Sequence, residues 1–508
     1  MNFTQILKEA KKHDWWSEES PGVPLYCIWA SQFVHQSKYW HPKLPTIIIC
    51  FFKNEFVFEE TPEDEKLKIW YYVWQKHRRT PVFQRKMYNH WQKVIQQTKK
   101  EAENFLKSKK RISDVNLAES FSLVTDLISD HWRITWVMEC ADIFTTYELP
   151  KLLHRELPSF SQKRINDLAN TLIAPSQLSF MEEYRQTLLK ICLKWYRPIK
   201  RHKKWQNLTP TFPKEVIDLS KKYIWLSANY GQGRSMTPDY IWRQLLEEVL
   251  HNSKSLLHKQ FIRLKTKIQR LKKEKFRLYQ GLDLSKEIKS VLDLLAFWSG
   301  WIDERKKFAL FASWLMEQYA DEVCRRLNRP IWQVKHMLPE ELVDILKGQK
   351  TAALKELSQR RTFCVFVKMK SGKKVREQFF YGSQAKELWH GIFSKPSGGI
   401  IKGQVTSAPV KKIAGKVCVV LDVHQKKFKR GSILVTTMTR PEFLPLIYQA
   451  KAIITDEGGL TCHAAIVSRE LGIPCLVGTK VASKVFKDGD IIEIDTEQGV
   501  VRKIKNTK

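Results

Sequence analysis

An α+β multidomain fold is predicted for this chain: a large, mainly helical N-terminal region with small β-hairpins, followed by a compact α/β domain. Three observations carry that prediction. Nine of the 20 glycines precede residue 392 and eleven follow it, although the later part is about a quarter of the length, and every tryptophan precedes residue 390. Upstream, apolar residues recur at helical spacing; downstream they fall into short β-rich runs. Between the two, "SKPSGG" (394–399) has the composition of a flexible linker. The expected organisation is an N-terminal segment over 1–110, a mainly helical domain over 111–393, a linker over 394–402 and a C-terminal domain over 403–503.

In chain order, "TIIICFF" (46–52) is too short to span a bilayer and reads as a buried strand, paired through "KNE" with "FVFEE" as a hairpin. A long helical run begins around Pro62. "TPDYIWRQLLEEVL" opens with Thr237 as N-cap and Pro238 at the first helical position. From Leu257 through Phe261, Leu264, Ile268 and Leu271 to Leu278, apolar residues recur at heptad-like spacing among lysines and arginines. That pattern predicts one arm of an antiparallel helical hairpin turning at Gly281. Trp298, Trp301, Phe308, Phe311 and Trp314 on the next helical region read as core. Residues 360–382 read as a β-hairpin turning at Ser371-Gly372. Downstream, "GKVCVVL", "SILVTTM", "KAIITD", "PCLVG" and "DIIEID" are strands, with helices after Pro441 and over 463–471.

Bulk composition limits the function classes. The N-terminus has charges where a signal peptide needs an apolar core, and nine scattered cysteines without CxxC spacing form neither a disulfide framework nor a zinc site. A cytoplasmic, non-membrane protein is expected. The excess of 87 Lys+Arg over 53 Asp+Glu, net +34, attracts polyanions but names none; no nucleic-acid-binding motif accompanies it. "NYGQGRS", the one upstream glycine cluster, reads as a turn.

Chemistry concentrates in "KAIITDEGGLTCHAAIVSRELGIPCLVG": strand, glycine turn, helix, Gly-Ile-Pro stop, strand. Thr461 or a neighbour caps the helix and His463 sits in its first turn. The first N–H groups of a helix lack internal partners and its dipole is positive there, a seat for phosphate that Gly458 and Gly459 let backbone approach. The same positive end disfavours imidazolium, leaving a neutral, nucleophilic imidazole. From these residues alone three other readings stay open: a capping or surface histidine, a metal ligand, and a redox role for Cys462 with its thiol pKa lowered at the helix start.

The Gly-Gly-x-Thr-x-His-Ala-Ala core, followed by Arg-Glu-Leu-Gly-Ile-Pro, closely resembles the mobile, or swivelling, β/β/α phosphohistidine domain of the phosphoenolpyruvate-utilising enzymes. That group contains phosphoenolpyruvate synthase, pyruvate phosphate dikinase and rifampin phosphotransferase. The resemblance covers roughly 403–501, about a fifth of the chain. It implies that His463 is the phosphorylated residue, that Gly458, Gly459, Thr461 and Cys462 form the phosphate-binding turn, and that Thr461 occupies a position phosphorylated for regulation in some members. Arg469 and Arg440 are weaker candidates for holding the phosphate. Family members use ATP with Mg²⁺ on an ATP-grasp domain; no such site is identifiable here, so a separate ATP-grasp chain is the expected partner. No pyruvate-binding barrel is expected after the mobile domain. By analogy with rifampin phosphotransferase, residues 1–393 are the expected acceptor-binding part, for a small molecule not identifiable from sequence. The rival is a non-catalytic scaffold or regulator whose basic helical region binds a protein or nucleic acid.

Overall fold

In the computed structural model, every residue is described except 1–2, 14, 22–45, 54–55, 81, 202–211, 229–232, 350–352, 372–373, 394–399, 422, 424–427, 440–442, 459–461 and 505–508. Two sheets organise these residues. The first has five antiparallel strands, β1 (Trp15–Pro21), β2 (Ile47–Lys53), β3 (Phe56–Pro62), β4 (Phe363–Ser371) and β5 (Lys374–Phe380), in the order β1-β3-β2-β4-β5. Both expected hairpins are present, with Lys53 opposite Phe56 and Ser371 opposite Lys374.

Sequence periodicity did not reveal that the hairpins join: β2 pairs with β4 from Ile47↔Met369 to Lys53↔Phe363. The reason is burial on both faces. Ile48, Cys50 and Phe52 enter the large helical core, while Ile47, Ile49 and Phe51 pack with helices Phe3–Ala10 and Gly382–Ile392. A strand covered on both faces has no water for the N–H and C=O groups along its edges, so each edge needs a pairing strand. The expected boundary at 110–111 therefore separates no cores: one cluster runs from Ile48 to Phe366. The second hairpin also starts later than expected, because Arg360 ends the helix Leu354–Thr362, held by Glu341 (2.7 and 2.9 Å) and Glu356 (2.7 Å).

Helices fill the space between the hairpins. Glu63–Arg79 follows Pro62 as expected, and Thr237 caps Pro238–His251, its hydroxyl oxygen accepting from the Tyr240 amide at 3.2 Å. The heptad-spaced residues form the helix Lys254–Gly281. Its main partners are Phe180–Arg201 and Gln162–Ile173, rather than the next helix, Lys286–Leu327. That 42-residue helix is committed elsewhere: Trp298 meets Trp70 edge-on at 5.3 Å and Trp301 packs on Trp91 at 5.6 Å. Of the expected core aromatics, Trp298, Trp301, Phe308 and Trp314 are buried and Phe311 is half-buried. From "NYGQGRS", Gly233 donates its amide to Glu317 at 3.0 Å and lies where a Cβ would meet the Glu317 Cβ at 2.3 Å. No helix among the described residues is long and apolar enough to cross a membrane.

The C-terminal sheet has eight strands: β6 (Ile400–Lys402), β7 (Gln404–Ser407), β8 (Lys412–Val419), β9 (Ile433–Thr436), β10 (Ala452–Thr455), β11 (Cys475–Val477), β12 (Ile491–Asp495) and β13 (Val500–Lys503). Their order is β6-β13-β12-β8-β9-β10-β11-β7, with β8 through β11 parallel and the other pairings antiparallel. Helices Leu444–Ile447 and His463–Leu471 cover one face over Leu434, Ile453 and Cys475; Ile433, Val435, Ile454, Ile492 and Ile494 form a second cluster on the other. The expected linker is shortened at its end, since 400–402 are β6 and hydrogen-bond to β13; residues 394–399 lie outside the described residues.

Candidate functional site

The site begins at the carboxyl end of β10, in the parallel part of the sheet, the edge where α/β sheets hold ligands. Thr455 ends the strand, and Asp456 and Glu457 hydrogen-bond through their amides to the Thr436 and Thr437 carbonyls at 3.1 and 2.8 Å. The chain then turns at Gly458, with φ +105°. A side chain there would put its Cβ 2.7 Å from the Cys462 sulfur and 2.9 Å from its Cβ. The glycine is thus required by the turn folding back on residue 462, a different close approach from the anion contact read in the sequence.

His463 is the first residue of the helix His463–Leu471, as expected. Its side chain, together with Gly459, Thr461 and Arg440, lies outside the described residues. The cap is Cys462, within the expectation of Thr461 or a neighbour: its backbone is extended, at φ −68° and ψ 163°, and its sulfur accepts from the Ala465 amide at 3.5 Å. That thiol corrects two expectations. Burial pushes its pKa up, so the lowered pKa of a redox cysteine is absent. It also takes the Ala465 N–H, one of the helix-start donors expected to face phosphate. Arg469 is exposed on the same helix, which ends in left-handed Gly472 at φ 65°.

Sequence reading missed what fixes this turn from below. Asp456, 4% exposed, accepts from the Thr479 hydroxyl at 3.0 Å, from the Ser483 amide at 3.0 Å and from the Ser483 hydroxyl at 2.5 Å. Burial is the largest influence on this carboxyl and raises its pKa, against the Lys484 charge and these hydrogen bonds. The Thr479 hydroxyl also donates to the Thr455 carbonyl at 2.9 Å. An aspartate directly after a four-residue apolar strand was the available signal; its partners, more than twenty residues on, gave none.

The segment that buries Asp456 also joins the two sheets. Lys480, a non-glycine residue at φ +66°, pairs with Glu63; Lys484 lies 3.8 Å from Glu60 and 3.9 Å above the Phe393 ring. Glu60 is fully buried and the Lys484 side chain 5% exposed.

In the helical region a cavity of about 350 Å³ is lined by Trp91, Phe180, Trp225, Asp303, Phe308 and Phe311, among others. Burial raises the Asp303 pKa to about 6, partly opposed by the Phe180 amide, which donates to it at 2.9 Å. Among the described residues no group of three or more His, Cys, Asp or Glu side chains is arranged to hold a metal ion.

Residues 428–499 match the family described as PEP-utilising enzyme, mobile domain. The chain is 46% identical over 132 residues to a probable phosphoenolpyruvate synthase of Archaeoglobus fulgidus, covering 26% of this chain and 16% of that protein. It is 52% identical over 105 residues to the phosphoenolpyruvate synthase of Pyrococcus furiosus, covering 20% and 13%, and 44% identical over 87 residues to that of Escherichia coli, covering 17% and 11%. The matched stretch thus spans less than a fifth of these relatives' length. Among solved structures, Thermococcus kodakaraensis aconitase X in its holo-form aligns at 20% identity and a TM-score of 0.18, covering 21% of this chain and all of that one. The C-terminal part of this chain is thus similar to the mobile domain of the PEP-utilising enzymes.

Proposed function

We propose that this chain is a phosphotransferase, or a subunit of one, in which His463 takes a phosphoryl group from a nucleotide and hands it to a small-molecule acceptor. One observation carries the reading: His463 opens a helix directly after a glycine turn at the carboxyl end of a parallel strand, in the stretch similar to phosphoenolpyruvate synthases. In the first step an imidazole nitrogen bonds to phosphorus as the P–O bond to the departing nucleotide breaks; in the second the acceptor oxygen displaces the imidazole. Asp456 acts as a positioning residue beneath the turn. The nucleotide is held by a separate ATP-grasp chain, and the domain moves between the two stations. The acceptor enters the aromatic cavity, where the raised pKa of Asp303 suits a carboxylate that takes a hydroxyl proton near neutral pH. Cys462 occupying the Ala465 amide favours a second reading, a domain retained as a scaffold, because it removes one phosphate donor.

The test is incubation with ATP labelled at the β or γ phosphorus, alone and with a candidate ATP-grasp partner. Acid-labile label that disappears in His463→Ala supports transfer. No label under either condition, with the domain folded, supports the scaffold.

A further inference from the structure

We propose that the outward face of the helix Lys254–Gly281 binds single-stranded nucleic acid, a function separate from the phosphotransfer reading. The helix carries ten Lys and Arg and a single acidic residue, Glu274. Lys259, Arg263, Arg270, Lys273 and Arg277 follow at intervals of four, seven, three and four residues. At about 3.6 residues per turn and 1.5 Å rise they form one line of positive charge about 27 Å long. It lies opposite the face on which Leu257, Phe261, Leu264 and Leu278 pack into the helical core.

Elsewhere on this helix, basic groups have found partners: Lys267 pairs with Glu182, and Lys275 donates to the Ala174 carbonyl. Among the described residues no carboxylate pairs with any of the five. Like charges one helical turn apart repel. A line of uncompensated cations longer than a small anion is complementary to a chain of phosphates.

An anionic membrane offers the same charge, but Leu257, Phe261, Leu264 and Leu278 pack into the helical core and are not available to insert. It does expose one ring: Phe276 is 66% accessible and sits among Lys272, Lys273 and Arg277. An aromatic face beside phosphate-binding cations suits stacking of an unpaired base. That feature favours a single strand over a duplex.

The experiment is fluorescence anisotropy of the full chain with labelled oligouridine across a salt series. Five phosphate contacts on a single strand predict a slope of log K against log salt of about −3.5. The exposed triple variant Arg263→Glu, Arg270→Glu, Arg277→Glu is expected to weaken binding at least tenfold and to flatten the slope to about −1.4. Phe276→Ala is expected to weaken binding roughly fivefold with the slope unchanged. Equal binding of oligothymidine agrees with recognition through backbone and stacking. Unchanged affinity in the triple variant overturns the proposal, as does tighter binding of a duplex that Phe276→Ala leaves unaltered. Capture by phosphatidylserine vesicles without oligouridine binding overturns it too. Circular dichroism of each variant separates loss of binding from loss of helix.

Discussion

The C-terminal domain and the helical region are stabilised by different means. In the former, glycines at positive φ fix the path: Gly431, Gly458, Gly472, Gly478, Gly489 and Gly499 all lie there, against Gly348 and Gly382 upstream. In the latter, aromatic rings do the work: Trp70, Trp91, Trp298 and Trp301 are almost wholly buried, and Trp70 packs within 4.8 Å of Phe144. A backbone constraint is local and leaves a spelling in the sequence. A ring contact between Trp70 and Trp298, or between Trp91 and Trp301, leaves only a tryptophan at each end. The chemistry assigned to this chain sits in the region whose path is written locally, which is why one histidine could be singled out there and no acceptor site upstream.

The largest effect that would break this division lies where the regions touch. Lys484 is nearly buried against fully buried Glu60, and removing one member of a buried charge pair costs about 3 kcal/mol or more. Lys484→Ala is expected to loosen the C-terminal domain from the first sheet, read as a lower first unfolding transition and faster proteolysis of the whole chain. Glu60→Gln should recover part of that loss in the double variant, because the stranded charge goes with it. If both variants melt like the wild type in a single transition, the two regions do not depend on this contact and the comparison sharpens into full independence.

A smaller, pH-dependent effect belongs to the helical region alone. Asp303 has its pKa raised by burial to about 6, above the ordinary carboxylate value, so the folded state binds the proton more tightly than the unfolded state does. Its favourable contribution is complete below about pH 4 and is lost as pH rises through 6. Discounting for partial exposure, the loss is about 1 kcal/mol. Thermal melts between pH 4 and 7 should show the helical transition falling with pH in the wild type and staying flatter in Asp303→Asn. A matching slope in the C-terminal transition would show that the regions unfold together.

How much was legible follows the same division. Thr237 as a cap, both hairpins, five of the eight strands of the C-terminal sheet and His463 at a helix start were readable, since each depends on neighbours within a few residues. The pairing of β2 with β4 was not readable, because its register joins residues more than three hundred apart and an apolar run such as 47–52 does not say which edges it offers. Helical spacing predicted Lys254–Gly281 but not its partners: periodicity gives the buried face of a helix and nothing about what covers it. At the site, the close approach of Gly458 to Cys462 was not readable, nor were the partners of Asp456, which arrive from the next loop.

The smallest expected effect is at Cys462, where local geometry alone decides. Its sulfur is a weak acceptor for the Ala465 amide at 3.5 Å, and its side chain packs against the buried cluster that contains Phe443, Ile447, Ala464 and Val467. Serine is the stronger N-cap but gives up apolar contact, so Cys462→Ser should change the stability of the C-terminal domain by less than about 1 kcal/mol. A thiol whose pKa is raised by burial stays protonated at neutral pH, so alkylation of the wild type at this position should be slow and phosphoryl labelling of the variant undiminished. Loss of label in a folded Cys462→Ser protein would place the sulfur in the chemistry. The cap would then be part of the reacting group and not only of the backbone that presents His463.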